Sequence, residues 1–297
     1  MIITRLSGGM GNQMFQYAIG RKLSLKYKVP LKLDTTFLLQ RISFPALLRP
    51  HFVFRNYDLD VYNIKADIAA NVDMKWWQRP ILSGKVMLFI DAVLRKIPFL
   101  KGWETSYQFE SHILDIGPDA YLAGFWQSYK YFDDIKDTLK EDFAIIAPLP
   151  ADTNELMEEI NAIKSVALHV RRLDMAEKSM HGAVDVAYYE KAVRYISEHD
   201  SIDRLYVFSD DIEWCKKNLV FSQPITYVEH MHSGKKGEGH IALMSNCRHI
   251  VIPNSTFSWW AAWLGNKEGR MVIAPSQWFQ GTSLNTIDLI PSTWIRL

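Results

Sequence analysis

Cysteine is scarce. The 297 residues hold two, Cys215 and Cys247, both inside helical patterns. Two thiols build neither a disulfide framework nor a zinc-ligand set, and a reducing compartment suits them. An excess of one charge is also missing: 34 Lys and Arg stand against 33 Asp and Glu, a net charge of +1. That balance argues against nucleic acid as a partner. Long apolar runs are missing too, so no segment is expected to span a bilayer. Met1 to Leu6 reads as a strand running into a glycine turn, without the charged region, apolar region and cleavage site of a secretory signal. What is present suits a soluble globular enzyme: 48% hydrophobic and 23% charged residues, in a chain long enough for two domains.

The turn Ser7-Gly8-Gly9-Met10-Gly11-Asn12-Gln13 joins the strand Ile2–Leu6 to a helix expected over Gln13–Lys28. Phe15, Ile19 and Leu23 recur every four residues as its buried stripe. The turn lacks the Gly-Lys-Ser/Thr ending of a P-loop, and Met14 stands where a dinucleotide turn needs a third glycine. It is either a ligand loop of another kind or a tight strand-to-helix turn. Leu31 to Asp34 reads as the next strand, with Asp34 at its carboxyl end, either capping Thr35-Thr36 or facing a ligand. A poorly patterned region follows, from Phe37 to about Ile116, containing Arg55-Asn56-Tyr57-Asp58-Leu59. Ile81 to Lys96, flanked by Trp76, Trp77 and Trp103, could form an amphipathic helix. That helix would rest weakly on a membrane surface or pack on its own domain with a solvated basic face. After a strand at Ala120–Gly124, Trp126 and Gln127 either hold a polar, ring-shaped substrate or place a buried indole in the first turn of a helix.

Pro148-Leu149-Pro150 is the best linker, dividing the chain into domains 1–150 and 151–297. Beyond it, strands at Ser165–Val170, Arg204–Phe208, Ile225–Val228, His249–Ile252 and Met271–Ala274 alternate with helices at Val186–Glu198, Ile212–Leu219, Ile241–Cys247 and Phe257–Leu264. The rhythm predicts a parallel, doubly wound α/β sheet whose strand ends gather on one edge. His169-Val170-Arg171-Arg172-Leu173-Asp174 ends the first of these strands. Guanidinium forks suit the oxygens of a diphosphate, and ligands of open α/β sheets bind beyond the carboxyl ends of strands. The plainer reading is a surface Arg–Asp ion pair. Asn254-Ser255-Thr256-Phe257-Ser258 combines a loop with a helix cap, and hydroxyls plus free N–H groups there suit an anion. Trp259 and Trp263 read as core. Asp210-Asp211 either hold a metal or cap the next helix, and His230, His232 and His240 either ligate a metal or belong to a glycine- and lysine-rich loop.

Together these residues resemble the bacterial and animal α-1,2-fucosyltransferases. The resemblance is carried by Gly8-Gly9-Met10-Gly11-Asn12-Gln13-Met14-Phe15-Gln16-Tyr17, by Gly124-Phe125-Trp126-Gln127-Ser128 with Lys130-Tyr131-Phe132, and by His169-Val170-Arg171-Arg172-x-Asp174. Phe208-Ser209-Asp210, Leu243-Met244-Ser245 and Asn254-Ser255-Thr256-Phe257-Ser258-Trp259-Trp260 complete it. It implies a glycosyltransferase of the B type: two Rossmann-like domains facing across a cleft, the C-terminal one binding GDP-L-fucose and the N-terminal one the acceptor. L-Fucose would pass from its β-linked GDP ester to the 2-hydroxyl of a terminal β-galactoside with inversion, without a metal or other cofactor.

By the same resemblance Arg171 and Arg172 hold the diphosphate, with Arg172 stabilising the leaving group and Asp174 orienting an arginine. Ser255, Thr256 and the Phe257 N–H take further phosphate oxygens, and Ser258 belongs to the same donor site. His169 and His240 lie near the nucleoside, while Gly9, Gly11 and Asn12 face the donor. Trp126 and Gln127 hold the acceptor, and Asp34 is a candidate base. Two positions depart from the family pattern. Leu173 replaces a glycine, and His240 stands where an aspartate reads guanine, leaving Glu238 or Glu229 as substitutes. An α-1,6-type fucosyltransferase and a non-catalytic sugar-nucleotide or glycan-binding protein are the alternatives. The expected setting is the bacterial cytoplasm, at most peripheral to the inner membrane, building a surface polysaccharide on a lipid-carried acceptor.

Overall fold

Short apolar runs build two parallel sheets. The computed structural model describes residues 1–39, 55–73, 102, 104, 106–172, 184–279 and 284–297. Asp174, Leu173 and the helix expected over Ile81–Lys96 lie outside them. The chain divides into two units, Met1–Ala144 with Asn285–Leu289, and Ile145–Leu284 with Ile290–Leu297. A single boundary at 150 does not include that late return of Asn285–Leu289 to the first unit.

In the first unit, β1 (Ile2–Arg5), β2 (Leu31–Asp34), β3 (Asp67–Ile68) and β4 (Ala120–Leu122) lie in the order β3-β2-β1-β4, all parallel. A parallel neighbour needs a crossover, and α1 (Met10–Tyr27) supplies it between β1 and β2. Phe15, Ile19 and Leu23 are fully buried as the stripe requires. The helix starts three residues before the expected Gln13, because extended Gly9 serves as its N-cap. A Cβ on Gly20 would stand 2.4 Å from Thr4 Oγ1, so a glycine lets α1 lie close on β1. A short α2 (Thr36–Leu39) follows β2. The helix expected from Tyr131 is α3 (Lys136–Asp142), reached through two single 3-10 turns.

The second unit alternates as its sequence rhythm requires. Its helices are α4 (Ala151–Ala162), α5 (Val186–His199), α6 (Ile212–Asn218), α7 (Glu238–Asn246) and α8 (Thr256–Leu264). Its strands are β5 (Ser165–Val170), β6 (Arg204–Ser209), β7 (Ile225–Tyr227), β8 (His249–Val251), β9 (Val272–Ala274) and an unexpected β10 (Ile295–Arg296). All pair in parallel in the order β10-β9-β8-β5-β6-β7. β5 is buried along its whole length, as a central strand of a parallel sheet should be. Tyr189, Val193 and Ile196 of α5 cover one of its faces.

Among the described residues each sheet has one place where winding reverses. In the second it lies between β5 and β8, since the chain goes from β5 outward through β6 and β7, then crosses back to β8. In the first it lies between β1 and β4. The crevice beyond the carboxyl ends at such a switch point is where open α/β sheets hold ligands.

Candidate active site

At the switch point of the second unit the end of β5 and the segments after β5 and β8 carry His169, Arg171, Arg172, Ser255, Thr256 and Phe257. β5 ends in His169 and Val170, and half-buried Arg171 and Arg172 follow. β8 ends at Val251, and Ile252 to Ser255 lead into α8. Ser255 is the N-cap of α8 in extended conformation, yet its side chain makes no capping hydrogen bond. Thr256 and Phe257 are half-buried at the start of that helix. The Phe257 ring centroid is 5.8 Å from that of His169, which joins the two loops. A Cβ on Gly237 would stand 2.9 Å from Phe257 Cε2, so the N-cap of α7 comes close as well; at φ +108° that position also favours glycine. Asn254 Nδ2 donates to the Trp278 carbonyl at 3.1 Å and holds the loop from behind.

On the other flank of β5, the turn after β6 holds Arg172. Its backbone N–H donates to Asp210 Oδ1 at 2.8 Å, and its guanidinium carbon lies 3.9 Å from the Trp214 ring centroid. Asp211 Oδ1 caps α6 by accepting from the Trp214 N–H at 3.0 Å. Of the two roles open for these aspartates, capping is therefore the one seen for Asp211, and among the described residues no group of three or more His, Cys, Asp or Glu could hold a metal ion. His232 Nδ1 meets Thr153 Oγ1 at 3.1 Å. His240 is buried in the first turn of α7, against Phe208, with Nε2 3.2 Å from the Glu229 carbonyl. Burial holds its pKa down to about 4, so the ring is neutral at pH 7.

The switch point of the first unit is a network of amides. Gln16, fully buried on α1, accepts from the Ser7 N–H at 2.9 Å and donates to the Gly124 carbonyl at 2.9 Å, tying the β1 loop to the β4 loop. Gln13, also fully buried, donates to the Asn56 carbonyl and accepts from the Asp58 N–H, each at 2.9 Å. Gln127 Nε2 donates to Asn12 Oδ1 at 2.9 Å. Among the described residues Gln127 Oε1 and Ser128 Oγ have no hydrogen-bond partner, although both are buried. Buried Glu104 accepts from the N–H groups of Phe125 and Trp126 at 2.7 and 2.8 Å. That hold matters because Trp126 adopts φ +57°, a left-handed conformation costly for a tryptophan.

The profile of glycosyl transferase family 11 matches residues 105–295. The chain belongs to that family. An alpha-1,2-colitosyltransferase of Escherichia coli is 34% identical over 313 residues, covering 100% of this chain and 99% of that protein. Galactoside alpha-(1,2)-fucosyltransferase 1 of Rattus norvegicus is 27% identical over 166 residues, 52% of this chain and 43% of that protein. The crystal structure of the fucosyltransferase NodZ from Bradyrhizobium superposes with a TM-score of 0.53 at 14% identity, covering 88% of this chain and 91% of that one. At that identity NodZ bears on the fold alone, which is the α/β glycosyltransferase B type expected from the sequence.

For a family 11 glycosyltransferase the geometry redraws part of the expected site. Asp34 is fully buried. Its Oδ1 accepts from the N–H and hydroxyl of Thr36 at 2.9 and 2.6 Å, and its Oδ2 accepts from the Tyr121 hydroxyl at 2.6 Å. It caps the turn and is not placed to take a proton from a substrate. Trp126 is also fully buried, edge-on to Tyr131, and offers no face to a sugar. Ser258 is fully buried and donates to the Ser255 carbonyl within the helix, so it is no phosphate ligand. Gly11 is buried in α1, leaving Gly9 and Asn12 partly exposed at the turn. Glu238 folds its carboxylate onto the N–H groups of Lys235 and Lys236 at 2.9 and 2.8 Å, so exposed Glu229, just beyond β7, is the freer of the two substitutes for a base-reading carboxylate. Trp259, Trp260 and Trp263 pack on one another in the core. Among the described residues no helix is long and apolar enough to cross a membrane.

Proposed function

We propose that this enzyme transfers L-fucose from GDP-β-L-fucose to the 2-hydroxyl of a terminal β-galactoside, free or on a lipid-linked oligosaccharide, with inversion and without a metal ion. The observation that carries the reading is that Arg171 and Arg172 follow β5 while the uncapped start of α8 follows its neighbour β8, so both stand beyond the carboxyl ends of adjacent strands. As the bond from the fucose anomeric carbon to the β-phosphate oxygen breaks, negative charge gathers on GDP. Arg171 and Arg172 meet that charge, with Arg172 nearest the leaving oxygen. Ser255, Thr256 and the Phe257 N–H supply further donors, with the helix dipole aligned to help. Asp174 orients one of the arginines, and His169 and His240 sit against the nucleoside. Positive charge fixed in the protein does what a divalent cation does elsewhere.

The acceptor lies at the turn after β4, where Asn12 holds the Gln127 amide in one orientation and a shift of the turn opens its buried Oε1, unpartnered among the described residues, to a sugar hydroxyl. As the bond to the diphosphate breaks, the galactose 2-oxygen bonds to the anomeric carbon and its proton passes late to solvent water, because the transition state resembles an oxocarbenium ion and needs little nucleophilic push. Asp34 plays no part in that proton transfer.

A second reading concerns the donor sugar. One relative matched end to end is named for colitose, which differs from L-fucose by a missing hydroxyl, whereas the rat galactoside fucosyltransferase matches over 52% of this chain. Purified enzyme should be offered GDP-fucose and GDP-colitose with lactose, Gal-β-1,3-GlcNAc and Gal-β-1,3-GalNAc in excess EDTA. The product linkage is then read by NMR. Transfer of fucose to a galactose 2-hydroxyl is the expected result. Release of GDP from GDP-colitose alone, or activity dependent on added Mn²⁺ or Mg²⁺, would replace the reading.

A further inference from the structure

We propose that Trp214 is a positioning residue for Arg172, and that the turn from Ser209 to Trp214 is a cradle that orients the guanidinium before a nucleotide arrives. The inference rests on the role given to Arg172 above. Register brings the parts together: β5 and β6 are parallel with Val170 beside Ser209, so the chain leaving one strand runs alongside the turn leaving the other.

Three hydrogen bonds lock the cradle. Ser209 Oγ accepts from the Asp211 N–H at 2.9 Å, Asp211 Oδ1 accepts from the Trp214 N–H at 3.0 Å, and Asp210 Oδ1 accepts from the Arg172 N–H at 2.8 Å. The first two fix where α6 begins and hence where the indole stands. The third fixes the backbone of Arg172. The side chain then lies with its guanidinium carbon 3.9 Å from the indole centroid. Cys215, not Trp214, is the fully buried residue of this seven-residue helix. Trp214 stays half-buried, with one face covered by the arginine.

Indole is the best aromatic partner for a cation. Stacking uses the flat face of a guanidinium and leaves its in-plane N–H groups pointing outward, the direction in which a two-pronged contact to phosphate oxygens is made. An arginine already held this way loses little rotamer freedom on binding GDP. A lysine at 172 would keep the charge and lose both the stack and the fork.

The test is a double-mutant cycle on Trp214→Leu and Arg172→Lys, with GDP affinity by calorimetry and turnover as readouts. Trp214→Leu is expected to lower kcat about tenfold, within the range of a cation–π contact, with the acceptor KM nearly unchanged. Trp214→Phe, which keeps an aromatic face, should lose less. In the Trp214→Leu background Arg172→Lys should cost much less than it does in the wild type. Native GDP affinity and turnover in Trp214→Leu would overturn the proposal. So would losses that simply multiply, since a merely structural ring would lower the melting temperature and leave the cost of Arg172→Lys unchanged. Should the leucine variant not fold, Trp214→Phe carries the same cycle. A wild-type protein that binds no GDP would overturn the role of Arg172 itself and this inference with it. Native GDP binding with full additivity would overturn this inference alone.

Discussion

The two switch points are built from the same topology and opposite chemistry. In the first unit amides dominate, beside the Arg55 guanidinium that lies 4.0 Å from where a Cβ on Gly9 would stand: Gln16 bridges two loops, Gln13 holds the segment around Asp58, and Asn12 pairs with Gln127. Even the carboxylates there, Asp34 and Glu104, are occupied by hydroxyl and backbone donors. In the second unit the arginines carry positive charge, and what the fold secures is their direction: Arg172 has its backbone on Asp210 and its guanidinium over the Trp214 ring. A network of saturated amides offers shape and an isolated acceptor oxygen, which suits hydroxyls. A guanidinium held over an indole, just after the strand next to the one that leads to an uncapped helix start, offers charge, which suits phosphate. On the function proposed above, one fold would present two kinds of ligand surface by changing what sits at one edge of each sheet.

The sharpest way to break this comparison is to remove the fork and keep the charge. Arg172→Lys is expected to reduce kcat by ~10²–10³ while the melting temperature holds, because a point charge cannot make the planar contact that meets the leaving diphosphate. Near-native turnover in that variant would take Arg172 out of the reaction. The counterpart in the first unit is Gln127→Ala. It should raise the acceptor KM about tenfold, the scale of one hydrogen bond to a sugar hydroxyl, and leave GDP affinity untouched. A parallel fall in GDP affinity would mean that the Asn12–Gln127 pair does not serve the acceptor.

Much of the second unit was legible because its strands are short β-branched runs separated by helices of ordinary length, a pattern that reports parallel topology directly. The strand ends therefore put Arg171, Arg172 and Ser255 at the carboxyl edge of the sheet from the sequence alone, and their roles there are those proposed above. The first unit was harder to read. Periodicity gave the stripe of Phe15, Ile19 and Leu23, but Gln13 and Gln16 are equally buried, and in sequence a buried glutamine looks like a solvated one. Glu104 sits in a stretch with no period, and its role depends on a loop more than twenty residues away. Trp214 carries no local signal either, since its partner is set by the register of β5 on β6. The two-residue strand β10 is too short to show a pattern. Asp34 looked like a strand-end carboxylate facing a crevice; only the hydroxyls of Thr36 and Tyr121 reveal that it is already satisfied.

That last point gives a smaller, decisive effect. In Asp34→Asn the side-chain oxygen can still accept from Thr36, while the new amide can donate to the Tyr121 oxygen, whose own proton then lacks an acceptor. The expected cost is about 1 kcal/mol of stability for that lost bond, with turnover reduced only a few-fold. A variant that is fully stable yet inactive would return Asp34 to the chemistry.

The smallest effect expected near neutral pH separates the units by acid. Burial lowers the pKa of His240 to about 4 and also lowers that of His249, whose Nδ1 accepts from the Met271 N–H and whose Nε2 is 3.1 Å from Asp200. Both rings are neutral in the folded second unit, whereas an exposed histidine in the unfolded chain titrates near 6.5. Below about pH 6.5 the unfolded chain therefore binds protons that the folded one does not, and stability must fall as acid is added. For His240 the loss continues down to about pH 4, where the folded ring also protonates and the slope ends. Asp200 adds to it only at lower pH: Lys164 and His249 hold its carboxylate well below the usual range, so its stabilisation is lost after the histidines'. Between pH 7.5 and 6 the share of His240 is about 1 kcal/mol or less. His240→Gln keeps an N–H for the Glu229 carbonyl and removes the titrating ring, so its melting temperature should depend less steeply on pH across that window than the wild type's. Equal slopes would show that His240 titrates normally, and an acid-sensitive first unit beside an insensitive second would reverse the contrast drawn between them.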